Sequence, residues 1–172
     1  MPIKSRIRTI ENYPKEGILF RDITTLFKDP QGLQLTVNTI ADRYKDQKID
    51  KIVGIEARGF MIGTPVAYAL GAGFVPLRKP GKLPAETISQ SYALEYGTDT
   101  IEAHQDAIAP NERVLLIDDL LATGGTAEAA CLLLKELGAQ IVECAVIVEL
   151  TELGGAQRLQ AHGVETFAVV KY

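Results

Sequence analysis

Val114-Leu115-Leu116-Ile117-Asp118-Asp119-Leu120-Leu121-Ala122-Thr123-Gly124-Gly125-Thr126 joins a run of apolar residues, a pair of carboxylates and a glycine-hydroxyl loop. The apolar run reads as a strand, Val114 to Asp118, covered on both faces as the strands of parallel sheets are. The turn after such a strand emerges at the carboxyl edge of the sheet, where open α/β folds bind ligands. Gly124 and Gly125 allow backbone angles that other residues resist, so successive N–H groups can turn inward around an anion. A helix starting near Ala127 adds the positive end of its dipole, and the hydroxyls of Thr123 and Thr126 add donors. The segment predicts a phosphate cradle.

Asp118 and Asp119 need a separate purpose, because carboxylates repel phosphate. The cis hydroxyls of a ribose are donors that seek acceptors, and a divalent cation nearby would seek oxygen ligands. The rest of the chain alternates in the same style. Lys51 to Ile55 reads as a strand, Phe60 to Leu70 as a helix, Gly73 to Leu77 as a strand, Glu128 to Leu137 as a helix, and Gln140 to Glu149 and Thr166 to Val170 as strands. Such alternation predicts an α/β fold with a central parallel sheet flanked by helices. Ahead of it, Ile3 to Asn12 reads as a short amphipathic helix, and Gln31 to Lys45 as a longer one with Leu33, Val37, Ile40 and Ala41 facing inward. Between Arg78 and Asn111 the rhythm breaks into two β-leaning segments, Ser89 to Tyr96 and Asp99 to Ala103, around Gly97-Thr98. These predict a mobile hairpin reaching over the site.

At 172 residues and 47% hydrophobic, the chain has material for one core and is expected to form one domain, residues 1–172. A formal net charge of −4 argues against a polyanion-binding surface, so no nucleic-acid partner is expected. No apolar run is long enough to span a bilayer, and the expectation is a cytoplasmic protein with no membrane partner. Cys131 and Cys144 lack metal or disulfide spacing and read as small core residues; His104 and His162 are isolated and read as surface or capping groups. Gly71 and Gly73 do not extend to G-x-G-x-x-G, which leaves a dinucleotide-binding reading without its fingerprint.

Further segments carry candidate chemistry. Arg58, in Gly54-Ile55-Glu56-Ala57-Arg58-Gly59-Phe60, follows a buried strand and offers a planar fork for a diphosphate, or for a surface ion pair. Arg78-Lys79-Pro80-Gly81-Lys82 sets cations around a turn, either for the same diphosphate or as a solvated loop. In Pro14 to Ile23, Phe20 could stack on a flat base or anchor its loop in the core. Glu95, in Ser91-Tyr92-Ala93-Leu94-Glu95-Tyr96-Gly97, could act in catalysis or lie on an exposed edge. The tail after Thr151 carries no site expectation.

Taken in order, these segments resemble the type I phosphoribosyltransferases, and within that family its adenine-specific members, from about residue 10 to beyond residue 150. The acid pair followed by A-T-G-G-T is similar to that family's signature for phosphoribosyl diphosphate (PRPP). The resemblance implies a single phosphoribosyltransferase domain with a small N-terminal hood, about residues 1–30, and a flexible catalytic loop, about residues 78–103. It implies that Ala122, Thr123, Gly124, Gly125 and Thr126 hold a 5-phosphate and that Asp118 and Asp119 hold ribose hydroxyls. Arg58, Arg78, Lys79 and Lys82 would bind diphosphate, and Leu19, Phe20 and Arg21 would form the adenine pocket. Arg58 and Glu95 would be catalytic, Glu95 near N7 of the base. The implied reaction converts adenine and PRPP to AMP and pyrophosphate, with Mg²⁺ bound mainly through PRPP or pyrophosphate and with no dedicated metal site, in a homodimer. A PRPP-binding sensor without catalysis is the reading from another class; the short acidic chain leaves it no DNA-binding module.

Overall fold

In the computed structural model, which describes residues 2–94 and 97–172, the Val114 run is the middle strand of a parallel sheet. The chain begins with a single 3-10 turn, Ile3–Arg6, then an antiparallel ribbon of β1 (Arg8–Glu11) and β2 (Leu19–Asp22). Helices α1 (Thr24–Phe27) and α2 (Pro30–Tyr44) follow. The sheet is built from β3 (Lys51–Ile55), α3 (Arg58–Leu70) and β4 (Gly73–Leu77), and, after the hairpin β5 (Thr87–Ala93) and β6 (Thr98–His104), from β7 (Arg113–Leu121), α4 (Gly125–Glu136), β8 (Gln140–Glu149), α5 (Gly155–Gln160) and β9 (Thr166–Lys171). Strand order is β4-β3-β7-β8-β9, and every neighbouring pair is parallel. The expected fold class holds.

The period-2 geometry of a strand sends successive residues of β7 to opposite faces. Val114 and Leu116 enter one buried cluster with α4, Ala103 and Ile101, while Leu115 and Ile117 enter the other with Ile40, Ile62 and Val66. Both faces are thus sealed, which is why the strand reads as a continuous apolar run. Cys131 and Cys144 are buried in the first cluster, and burial pushes both thiols up, Cys131 to about 12.

Close approach of α3 to the sheet requires residues without side chains. A Cβ at Gly59 would lie 2.9 Å from the Ile117 carbonyl oxygen, and a Cβ at either Gly54 or Gly63 would lie 2.8 Å from the ring of Phe74. The Phe74 ring is seated in the space those two glycines leave, edge-on to Phe60 at 5.7 Å.

Two expectations change. Residues 3–12 do not form one helix: the spacing of Ile3, Ile7 and Ile10 fits a helical face, but the β-branched residues after Arg6 pair with β2 instead. Thr25 fixes the changeover, its hydroxyl accepting from the Arg8 N–H at 3.0 Å and donating to the Arg6 carbonyl at 2.7 Å. Helix α2 is where it is expected, capped by Asp29 on the Gln31 N–H, but its inward stripe is Gly32, Thr36, Ile40 and Tyr44. Leu33, Val37 and Ala41 are only half-buried. The polar members of that stripe turn inward because their groups are satisfied there: Thr36 donates to the Gly32 carbonyl, and the Tyr44 hydroxyl donates to Glu143 at 2.5 Å.

Asp22 anchors the ribbon to α1. Its carboxylate accepts from the Thr24 hydroxyl at 2.6 Å, from the Thr24 N–H at 2.9 Å and from Arg8 at 2.5 Å. The Thr24 hydroxyl bond, followed by Arg8, holds this carboxyl down to about 2 from an ordinary 3.8. Because the folded value is depressed, the stabilisation is complete above about pH 4 and is lost as pH falls through about 2. Asp22→Asn is expected to lower stability by about 1 kcal/mol at pH 7. Thermal melts of the two proteins should converge between pH 4 and pH 2; a constant gap would overturn this account.

Candidate active site

Counted along the chain, the sheet strands lie in the order 2-1-3-4-5, so the connections leaving β3 and β7 diverge to opposite faces and open a crevice between their carboxyl ends. A cleft of about 250 Å³ occupies that position. Ile55, Glu56 and Arg58 line it from the end of β3, Asp118 to Ala127 from the end of β7, and Lys79, Tyr92 and Ile101 from the basic turn and the hairpin.

Strand β7 runs on to Leu121, so the carboxylates lie on the strand itself and the turn is confined to Ala122–Gly124. Gly124 has φ +83° and precedes the first residue of α4, which starts at Gly125 rather than near Ala127. Gly125 and Thr126 are therefore first-turn residues whose N–H groups have no partner four residues back in the helix. Thr123, Gly124, Gly125 and Thr126 all line the cleft, which places the positive end of the α4 dipole and two hydroxyl-bearing residues at its wall.

Charge in the cleft is internally balanced. Asp119, 6% exposed, accepts from Arg58 Nε at 2.5 Å, and its own N–H donates to Asp118 Oδ1 at 2.8 Å. Burial, and then the charge of Asp119, raises the Asp118 carboxyl well above the usual range. Burial opposes the Arg58 charge, but the Asp119 hydrogen bond and both carboxylates outweigh it and raise its pKa. Lys79 Nζ is ion-paired with Asp99 and donates to the Tyr92 hydroxyl at 3.2 Å, and that hydroxyl in turn donates to Asp99 at 3.1 Å. Glu56 accepts from the Lys79 N–H at 2.7 Å and from Arg78 Nε at 3.3 Å. Each cation at the cleft is held by a carboxylate that an incoming anion can replace.

Of the residues singled out from sequence, Arg58, Lys79, Asp118, Asp119, Ala122, Thr123, Gly124, Gly125 and Thr126 meet in this one cleft. Arg78 is not part of the lining, its backbone bridged to Glu102 and its side chain on Glu56 and the Lys82 carbonyl, and Lys82 is exposed on the turn. Leu19, Phe20 and Arg21 lie on β2 outside the cleft lining. Phe20 packs edge-on against Tyr13 at 5.2 Å; Arg21 donates to Thr9 at 2.5 Å and stacks on the ring of Tyr172 at 3.9 Å. Glu95 lies outside the described residues. Glu56 and Tyr92 belong to the site without having been singled out, although both sit inside the motifs around Arg58 and Glu95.

Residues 22–169, from the end of β2 into the last strand of the sheet, match the phosphoribosyl transferase domain family, the class to which a switch-point cradle beside an acid pair points. An adenine phosphoribosyltransferase of Nitrosospira multiformis is 61% identical over 172 residues, which is 100% of this chain and 98% of that protein. That of Nitrosomonas europaea is 59% identical over 100% of this chain and 99% of its own. The crystal structure of adenine phosphoribosyltransferase from Rhodothermus marinus superposes with a TM-score of 0.92 at 49% identity, covering 99% of this chain and 96% of that one. The Giardia lamblia enzyme complexed with 9-deazaadenine gives 0.94 at 37%, covering 100% and 98%. The chain belongs to the adenine phosphoribosyltransferase family.

Gly124→Ala tests the cradle. A side chain at φ +83° is strained, and its Cβ would meet the Gly155 backbone at 3.0 Å. Calorimetric titration with ribose 5-phosphate should show affinity reduced by about tenfold or more; unchanged affinity would remove this turn from the anion site.

Proposed function

We propose that this chain transfers the 5-phosphoribosyl group of PRPP to N9 of adenine, giving AMP and pyrophosphate in purine salvage. The observation that carries the reading is the single cleft in which a glycine cradle, an acid pair and carboxylate-bound cations meet at the sheet's switch point. Ala122 to Thr126 hold the 5-phosphate, Asp118 and Asp119 the ribose hydroxyls, and Arg58, Arg78, Lys79 and Lys82 the diphosphate. Leu19, Phe20 and Arg21 form the adenine pocket. The two-stranded ribbon supports that role, because among the described residues the outer edge of β2 pairs with no other strand, and adenine offers a complementary donor at its amino group and acceptor at N1. Residues 1–30 then act as a hood and 78–103 as the closing loop of a one-domain enzyme.

Displacement at the anomeric carbon leaves a polyanion and passes through a cationic sugar, so the site must stabilise opposite charges in turn. Arg58 links the two demands. When diphosphate takes the guanidinium, Asp119 is released to accept from a ribose hydroxyl and to face the developing positive charge. Lys79 exchanges Asp99 for diphosphate in the same way. Glu95 acts at N7: as N9 bonds to the anomeric carbon and diphosphate leaves, the ring proton that the neutral base must lose passes from N7 to the Glu95 carboxylate.

Among the described residues no group of three or more His, Cys, Asp or Glu is arranged to hold a metal. The oxygen-rich lining suits Mg²⁺ brought in with the diphosphate: Glu56, Asp118 and Asp119 are the acidic groups that would help to hold it, and it would supply charge neutralisation to the leaving diphosphate. The outer face of α3 exposes Met61 and Tyr68, 46% and 91% accessible, which supports assembly as a homodimer. A cytoplasmic site of action belongs to the same reading.

Steady-state assays with PRPP, Mg²⁺ and each of adenine, hypoxanthine, guanine and xanthine test the proposal. AMP from adenine alone is expected, and Arg58→Ala should lower kcat/KM by about 100-fold. Turnover of an oxopurine instead would overturn the adenine pocket, and PRPP binding without turnover of any base would favour a sensor.

A further inference from the structure

The tail beyond Thr151, which carries no motif, packs directly behind the phosphate cradle. A Cβ at Gly155 would lie 2.4 Å from the Ala122 carbonyl oxygen, and Gly155 Cα would lie 3.0 Å from a Cβ at Gly124. One turn on, Arg158 reaches the same loop. Its Nη1 donates to the Thr123 carbonyl at 3.4 Å, and its Nε donates to Glu128 Oε2 at 2.7 Å. Glu128 is held from its other oxygen by His162 Nε2 at 2.6 Å. The guanidinium is thereby fixed between the first turn of α4 and the cradle it serves.

In a trans peptide the carbonyl and the following N–H point in opposite directions. A Thr123 carbonyl turned toward Arg158 therefore turns the Gly124 N–H the other way, toward the side on which Thr123 and Gly124 line the cleft. Glycine at φ +83° makes that peptide easy to rotate, so an external anchor is what selects the donor-inward orientation. We propose that Arg158, aligned by Glu128, is a positioning residue for phosphate recognition: it holds the Thr123–Gly124 peptide with its N–H presented to the 5-phosphate of PRPP. This rests on the reading of Ala122 to Thr126 as the phosphate site.

Positioning and direct contact differ in sign at Glu128. Glu128 touches Arg158 and His162, and its negative charge lies in the first turn of the helix that faces the phosphate. If Arg158 acted by its charge on the phosphate, Glu128→Gln would free it, remove a repulsive charge and lower the KM for PRPP. If Arg158 acts by holding the peptide, Glu128→Gln loosens it and raises that KM.

The experiment measures kcat and both KM values for the full chain carrying Arg158→Ala, Glu128→Gln or Thr126→Ala, with calorimetric titration of ribose 5-phosphate into each. Arg158→Ala is expected to raise the PRPP KM by about 5- to 10-fold with kcat and the adenine KM within about twofold. Glu128→Gln should shift it the same way by a smaller factor, and ribose 5-phosphate affinity should fall in parallel. A PRPP KM within twofold of the parent in Arg158→Ala, or a lowered one in Glu128→Gln, overturns the proposal. Should Arg158→Ala fail to fold, the sign in Glu128→Gln decides alone. Thr126→Ala separates the two layers: if it leaves ribose 5-phosphate affinity unchanged, the loop is not the phosphate site and the underlying reading fails; if it weakens binding while Arg158→Ala does not, only the positioning role is lost.

Discussion

The hydrogen bond from Arg58 Nε to Asp119 Oδ2 crosses the gap between the ends of β3 and β7, and the organisation of the cleft depends on it. Two carboxylates beside a phosphate cradle would repel both each other and the ligand unless a cation compensated them. Arg58 does so from the first turn of α3, which reaches β7 only because Gly59 allows that helix to rest on the Ile117 carbonyl. Backbone packing and charge balance are in this way one constraint: a helix held farther out would leave Asp119 buried without its partner.

The same economy extends around the cleft. Asp99 and Asp119 each hold a cation that lines the cleft, Lys79 and Arg58. A site that must receive a polyanion and then release one is better served by cations already desolvated and aligned than by free side chains in water, because the carboxylates substitute for the ligand without new reorganisation. Burial and the neighbouring Asp119 charge raise the pKa of Asp118, which disfavours a second full negative charge at this position.

Much of this was legible from sequence because the signals were local. The Val114 run gave a strand covered on both faces, the glycine pair gave the turn, and Arg58 followed a strand as an edge residue should. What escaped depended on partners distant in the chain. Ile3, Ile7 and Ile10 have helical apolar spacing, and only the existence of β2 makes Arg8 to Glu11 a strand. Tyr44 and Thr36 look like the wet side of α2 until Glu143 and the Gly32 carbonyl are in place. Arg158 sits in a segment of ordinary composition, and nothing in its neighbours announces that Gly155 lies against Ala122. Propensity and period describe an element's own preferences, whereas these residues are defined by what they meet.

The seating of Phe74 between Gly54 and Gly63 has a consequence for how sequences of this fold can diverge. Each glycine fits the same aromatic ring from a different element, so none of the three positions is free to drift alone. A methyl group at position 63 is admissible only if the residue at 74 shrinks or turns, and a smaller residue at 74 leaves a void that the glycine positions can then fill. Positions 54, 63 and 74 form a steric ratio in which gains of volume on β3 or α3 are matched by losses on β4, and they are expected to covary among relatives as a trio.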